Sequence, residues 1–128
     1  MNELRKGIAA AAVDGIVVPE PETATRHYRF SADFIGFSGH FPGDPILPAI
    51  AQIGTVVSLA EEHSGRPLRL AAVEFAKFLS PIRPRDEVRV RYQRRADAGR
   101  ILYDATLSVD GKTAAAFLLD LADEGEPR

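Results

Sequence analysis

Apolar and polar residues alternate along the second half of the chain in the manner of half-buried β-strands. The alternation is clear over residues 88–93 and 101–109, residues 70–79 are apolar with scattered charges, and a last strand is expected over residues 112–119. The Asp110-Gly111 pair separates two of these stretches as a tight hairpin turn would. Since short turns join antiparallel neighbours, the pattern predicts four successive strands in an antiparallel meander.

Two further strands are predicted in the first half of the chain. Residues 16–18 form a short apolar stretch that runs into a turn-forming cluster of two prolines and a glutamate at 19–21. Residues 24–32 place Tyr28 and Phe30 two positions apart with polar neighbours, which is typical of a strand with one buried face.

A helix is predicted over residues 46–60, which contain no charged residue. Pro48 suits its first turn, and Gly65 followed by Pro67 suits its end. At about 100° per residue, the helix has a bulky aliphatic side and a side of small or polar residues. The bulky side comprises Ile50, Ile53, Val56, Val57 and Ala60, and the other side comprises Ala51, Gln52, Gly54, Thr55 and Ser58. A helix without charges is normally buried on most sides, so we expect the sheet to curl around it.

This order of elements predicts an α+β hotdog fold, in which a curled antiparallel sheet wraps around one long buried helix. The 128 residues match the length of one domain, and we expect a single domain over 1–128. Residues 1–11 are expected to form a short N-terminal helical segment rather than a secretion signal, because Glu3 interrupts the basic part. The acidic tail, residues 120–128, is expected to be frayed.

Composition narrows the classes of function. The formal net charge of −2 argues against a nucleic-acid-binding protein, and no apolar run approaches the roughly 18 residues of a membrane-spanning helix. The chain has no cysteine, which favours a reducing compartment, and we expect a cytoplasmic protein. Three scattered histidines show no metal-ligand spacing, so no metal is expected.

A dense motif connects the second strand to the helix: Gly39-His40-Phe41-Pro42-Gly43-Asp44-Pro45-Ile46-Leu47-Pro48. It resembles the signature of the beta-hydroxyacyl-carrier-protein dehydratases, which read approximately G-H-F-x-G-x-P-x-x-P-G before a helix. Ala49 stands at the final glycine of that pattern. Residues 76–86 are similar to the later A-R-F-x-x-P-V-x-P-G-D segment of the family, with Arg85 in place of glycine. The resemblance extends from about residue 32 to residue 119.

The resemblance implies dehydration of a 3-hydroxyacyl thioester to the 2-enoyl thioester at a homodimer interface. His40 would be the catalytic base, because a neutral imidazole suits removal of a weakly acidic α-proton near pH 7. The Ala49 amide, at a helix N-terminus, would hold the thioester oxygen. Further substrate-binding residues are expected at Phe41, Gly43, Pro48, Gln52, Gly54, Thr55 and Ser58. The implied substrate is carried on the phosphopantetheine of acyl carrier protein or coenzyme A, with no other cofactor.

The chain departs from the family at the position of a second catalytic group. In the family a carboxylate lies fourteen residues after the motif histidine, where this chain has Gly54, and a later glutamine corresponds to Ser58. The smaller residues are expected to open space beside His40. Three explanations remain open: His40 performs both proton transfers with a polar helper; a related subunit supplies the carboxylate in a heterodimer; or the domain binds or hydrolyses acyl thioesters instead.

Seven arginines lie between Arg83 and Arg100. The pattern fits a solvated face of the sheet, and it also fits a docking surface for an acidic carrier protein or for the phosphopantetheine phosphate. The sequence does not separate these two interpretations.

Overall fold

One antiparallel sheet of six strands packs against a 16-residue helix. The computed structural model describes residues 3–37 and 43–125. The helices are α1, Glu3–Ala10, and α2, Ala49–Ser64. The strands are β1, Val17–Glu20; β2, Thr23–Arg29; β3, Leu68–Phe78; β4, Glu87–Asp97; β5, Arg100–Val109; and β6, Lys112–Asp123. The predicted order of two strands, one long helix and four strands is confirmed.

The strand order in the sheet is β1-β2-β4-β5-β6-β3, so the predicted meander is correct only for β4, β5 and β6. β3 lies at the far edge, paired with β6, and β4 pairs with β2. The connection from β3 to β4 contains Pro81 and Pro84, which cannot donate ladder hydrogen bonds. At its start, the Leu79 N–H donates to the Ala114 carbonyl of β6 (2.8 Å). At its end, the Arg85 N–H donates to the Phe30 carbonyl next to β2 (2.8 Å). The chain thereby crosses from one side of the sheet to the other.

Helix α2 begins later than residue 46 and ends at Ser64, directly before the predicted stop at Gly65. It starts at Ala49, directly after Pro48, and its C-cap is Gly65 in a left-handed conformation with φ 72°. Glycine adopts this conformation without the steric cost of a side chain, and its N–H bonds the Glu61 carbonyl (2.8 Å). Glu61 and Glu62 therefore lie at the end of the helix.

The expected division of α2 into two sides is wrong. The side against the sheet mixes small, polar and aliphatic residues: Ala51, Gln52, Thr55, Val56, Leu59 and Ala60 are all buried. Ile50, by contrast, is 67% exposed, and Ile53 and Val57 are only partly buried. Ile53 and Val57 still pack against the edge of the core, so Ile50 is the exposed one of these three. The helix is thus buried on one side and apolar on the other.

The two ends of the sheet also differ from the predictions. β1 continues through Pro19 to Glu20, where the sequence predicts a turn; a proline is tolerated there because β1 is an edge strand. At the other end, β6 runs to Asp123, so residues 120–123 are not frayed. Leu121 packs in the core and pairs with Leu70 of β3, and this burial holds the strand in place.

Helix α1 packs across α2. Ile8 is the buried residue of this helix, with only 2% of its surface exposed, and it belongs to the main core. Arg5 forms an ion pair with Glu61, whose second carboxylate oxygen accepts the Leu68 N–H (2.8 Å). One carboxylate therefore joins α1, the end of α2 and the start of β3.

Candidate functional site

The motif segment leads directly into α2. His40 and Phe41 lie outside the described residues, so their predicted roles stay predictions. The residues that follow are anchored to the connection before β4. The Leu47 N–H donates to the Ile82 carbonyl (2.7 Å), and the Arg83 guanidinium contacts the Asp44 carboxylate at 3.1 Å. These contacts fix the approach of the chain to the helix N-terminus.

A cavity of about 350 Å³ lies at that N-terminus. Its lining comes from the segment before α2, the first turns of α2 and the end of β3: Ile46, Leu47, Pro48, Ala49, Gln52, Phe78, Leu79, Ser80 and Pro81. Pro48 is the N-cap and provides no side-chain cap. The N–H groups of Ala49 and Ile50 have no backbone partner among residues 3–37 and 43–125. Open donors and the helix dipole favour a partially negative oxygen at this end of the cavity.

Gln52 contributes a buried carboxamide to the same cavity, with 4% of the residue exposed. Its Nε2 donates to the Leu47 carbonyl (2.9 Å), while its Oε1 is buried without a partner in the described part of the chain. A buried acceptor of this kind is normally satisfied, so an unpaired one points to a missing donor. A substrate hydroxyl is one group that supplies such a donor.

Thr55 has a structural role in this arrangement. It is fully buried, and its hydroxyl donates to the Gln52 carbonyl (2.7 Å) within the helix. Thr55 does not line the cavity at the helix N-terminus. The expected substrate contact from this residue therefore has no support in the described geometry.

Gly54 and Ser58 line a different cavity, a groove of about 660 Å³ between α1, α2 and the start of β3. A Cβ atom on Gly54 would lie 2.6 Å from Cδ1 of Ile8. The expected open space at this position is therefore occupied by Ile8. Ser58 hydrogen-bonds Tyr28, whose burial raises the pKa of its phenol to about 12 although Ser58 opposes the rise.

Sequence reasoning missed two parts of this geometry. Phe78 to Pro81 line the helix-end cavity, and their signal was the second family-like segment at 76–86, which was recognised but not assigned to a site. Ile8 had no usable signal, because an aliphatic residue in a short amphipathic helix does not indicate which partner it covers.

Replacing Gln52 with methionine, which has a similar shape, is expected to lower the free energy of unfolding by about 1–3 kcal/mol. The buried Leu47 carbonyl would lose the donor that now bonds it. Chemical denaturation measures the loss. The matched control is Gln93→Met on the exposed face of β4, where we expect a change within about 0.5 kcal/mol. Equal effects at both positions would contradict an anchoring role for Gln52.

Within residues 3–37 and 43–125, no group of three histidine or acidic side chains is arranged to hold a metal ion. No helix in the same ranges is both long and apolar enough to cross a membrane.

Known proteins resemble this chain in sequence. The model of the ApeI-like family, described as ApeI dehydratase, matches residues 17–116. The 3-hydroxyacyl-[acyl-carrier-protein] dehydratase FabZ of Chloroflexus aggregans is 39% identical over 89 residues, which are 63% of this chain and 62% of that protein. FabZ of Ligilactobacillus salivarius is 31% identical over 110 residues, covering 80% of this chain and 77% of that protein. The chain thus spans less than two thirds of the length of the Chloroflexus relative.

Solved structures share the architecture. The dehydratase heterocomplex ApeI:P from Xenorhabdus doucetiae aligns with a TM-score of 0.72 at 22% identity, over 87% of this chain and 96% of the other. The PaaI protein from the phenylacetic acid degradation operon of E. coli aligns with a TM-score of 0.66 at 18% identity, over 91% and 88%. At these identities the likeness establishes the fold, and the predicted hotdog fold is confirmed. Together with the family match over residues 17–116, it shows that the chain belongs to the ApeI-like dehydratase family.

Proposed function

We propose that this protein dehydrates 3-hydroxyacyl thioesters, carried on the phosphopantetheine of acyl carrier protein or coenzyme A, to 2-enoyl thioesters. The observation that carries the proposal is the cavity at the N-terminus of α2, which combines open backbone donors with the buried Gln52 carboxamide. This cavity directly follows the His40 motif along the chain. Family membership and the two FabZ relatives support the same reaction.

Each of these groups has a separate role in the proposed reaction. His40 takes the proton from C2 while the thioester oxygen gains negative charge, which the Ala49 and Ile50 amides stabilise. The C2–C3 double bond then forms as the C3–O bond breaks, and the hydroxyl leaves as water after receiving a proton. Gln52 Oε1 accepts a hydrogen bond from the substrate hydroxyl and orients it, but a carboxamide does not deliver the proton. The reaction uses no cofactor beyond the carrier thioester.

The proton for the leaving hydroxyl has two possible sources. His40 returns the proton that it has taken, or a carboxylate arrives from a partner subunit. The exposed apolar surface of the chain supports a partner, and one structural neighbour is described as a dehydratase heterocomplex. Adding candidate partner chains to the assay separates the sources, since only the second predicts that a partner increases the rate.

The test of the proposal is direct. The purified protein is incubated with 3-hydroxyacyl thioesters, and both enoyl absorbance and released thiol are followed. A rise in enoyl absorbance without free thiol is the expected result. Free thiol without enoyl product would replace the proposal with a thioesterase, and saturable binding without either product, alone or with partners, would replace it with a binding subunit.

We also propose that two chains associate through the edge strand β3. Exposed apolar side chains line this edge: Phe75 is 80% exposed, Val73 and Phe78 of β3 are also exposed, and so is Leu79 directly after the strand. Ile50 of α2 adds an exposed aliphatic side chain. A long apolar edge with unpaired backbone groups is a template for pairing with another strand.

Phe75→Asn is expected to weaken this association without destabilising the chain. Phe75 has φ 53°, a left-handed conformation that a bulky residue rarely adopts and that asparagine tolerates. The variant should elute at a smaller mass in size-exclusion chromatography with light scattering, and its unfolding midpoint should no longer depend on protein concentration. An unchanged mass would place the contact elsewhere. The control is Ile101→Asn, an exposed residue on β5 away from the β3 edge.

A further inference from the structure

A strained arginine stands in the connection between β3 and β4. Residues Arg83 to Asp86 form a β-turn in which the Asp86 N–H donates to the Arg83 carbonyl (3.2 Å). Arg85, the third residue, has φ 71°, and turns with a positive φ at this position favour glycine. Its side chain is exposed and forms no ion pair within residues 3–37 and 43–125. The turn therefore holds a strained residue whose side chain contributes nothing to the fold.

The turn lies beside the entrance to the candidate site. The Arg85 N–H donates to the Phe30 carbonyl (2.8 Å) at the end of β2. The Arg83 side chain contacts Asp44, which belongs to the motif segment. The Ile82 carbonyl accepts the Leu47 N–H (2.7 Å) immediately before α2. A partner bound at this turn would thus contact the protein where the motif enters the helix.

Arginines cluster around the turn, although Asp44, Asp86 and Glu87 lie among them. We define the arginine turn surface as Arg29, Arg83, Arg85 and Arg89. Arg29 lies 3.7 Å from Glu87, and Arg83 is paired with Asp44. Arg85 and Arg89 are exposed and have no ion pair in the described part of the chain. Two of the four guanidinium groups are therefore available to an acidic partner.

We propose that the arginine turn surface docks the acidic face of an acyl carrier protein, with Arg85 as its central contact. The inference rests on the proposed function, because that function supplies the carrier. Strained backbone positions are common at functional sites, and the exposed side chain of Arg85 points to a contact outside the chain. A free phosphate would need donors that converge in a pocket, whereas these side chains lie on open surface. The geometry therefore favours a protein surface over the phosphate alone.

The experiment uses Arg85→Gly. Glycine relieves the strained φ, so the unfolding midpoint should stay equal or rise by up to roughly 5 °C. Affinity for acyl carrier protein, measured by fluorescence anisotropy, should fall about two- to tenfold, and the remaining affinity should depend less on salt. The KM for the carrier-linked 3-hydroxyacyl substrate should rise by a similar factor. The KM for the coenzyme A and N-acetylcysteamine thioesters should stay the same.

Ala98→Gly is the matched control, since Ala98 also has a positive φ (51°) but lies in the β4–β5 hairpin and carries no charge. It should gain stability without losing carrier affinity. An equal rise in the KM for coenzyme A thioesters in Arg85→Gly would show that the residue contacts the phosphate and would overturn carrier docking. Unchanged carrier affinity would overturn it as well. If the wild-type protein turns over coenzyme A substrates but binds no carrier, only the docking proposal is overturned. If it neither turns over coenzyme A substrates nor binds carrier, the proposed function is overturned as well.

Discussion

Replacing His40 with alanine is expected to lower the rate of enoyl formation about hundredfold to ten-thousandfold. The substitution removes the group that takes the C2 proton, while the amides at the start of α2 remain to bind the thioester oxygen. Binding of substrate should therefore change less than turnover. Enoyl absorbance at saturating substrate measures the rate, and circular dichroism verifies that the variant is folded.

The control for this variant is His27→Ala. His27 lies on β2, and its Nδ1 is 2.7 Å from Oδ2 of Asp14 on an exposed surface. Its removal should leave the rate of enoyl formation within about twofold, since side-chain contacts on an exposed surface contribute little. A His40 variant that retains the wild-type rate would remove the dehydratase mechanism and leave the motif with a structural role.

Substituting glutamate for Gly54 is expected to lower the free energy of unfolding by about 1–3 kcal/mol, because the new side chain must displace buried Ile8. Ile8→Ala should cost about 2–5 kcal/mol on its own, since it leaves a cavity in the core. The free energy of unfolding should fall less in the double variant than the sum of the two single losses. The difference should be about 0.5–3 kcal/mol, because the smaller residue 8 makes room for the larger residue 54. Urea denaturation of all four chains completes the cycle.

Turnover provides the second measurement on these variants. The double variant Ile8→Ala/Gly54→Glu should form enoyl product about tenfold faster than Ile8→Ala, because a carboxylate at this position would protonate the leaving hydroxyl. Gly54→Glu alone should show no such gain while Ile8 occupies the space. Additive stability losses would show that Ile8 and residue 54 do not compete for the same volume. Equal turnover in the double and single variants would show that the groove does not reach the reacting atoms.

The elements of the fold were predictable because their signals are local. The charge-free run over residues 46–60 and the alternation in β4 and β5 each depend on a few neighbouring residues. The position of β3 was not predictable in this way. β3 could pair with either edge of the meander. The proline-containing connection decides which edge it takes, and hydrogen bonds to Ala114 and Phe30 set the path of that connection.

In the candidate site, too, the features with a local sequence signal were predictable and those that depend on tertiary packing were not. The motif located the helix N-terminus, and the structure places Pro48, Ala49 and Gln52 at one cavity. Periodicity alone put Gln52 and Gly54 on the same side of α2, although they line different cavities. The difference depends on how closely α1 and the sheet approach the helix, and neither distance is encoded in the local pattern.

The two edges of the sheet have unequal capacities to recruit another strand. β1 has four residues, one of which is Pro19 without an N–H, whereas β3 has 11 residues. A chain with one receptive edge can add a single neighbour, and after that addition no receptive edge remains. Raising the protein concentration should therefore complete two-fold symmetric pairs and then stop, without growth of filaments.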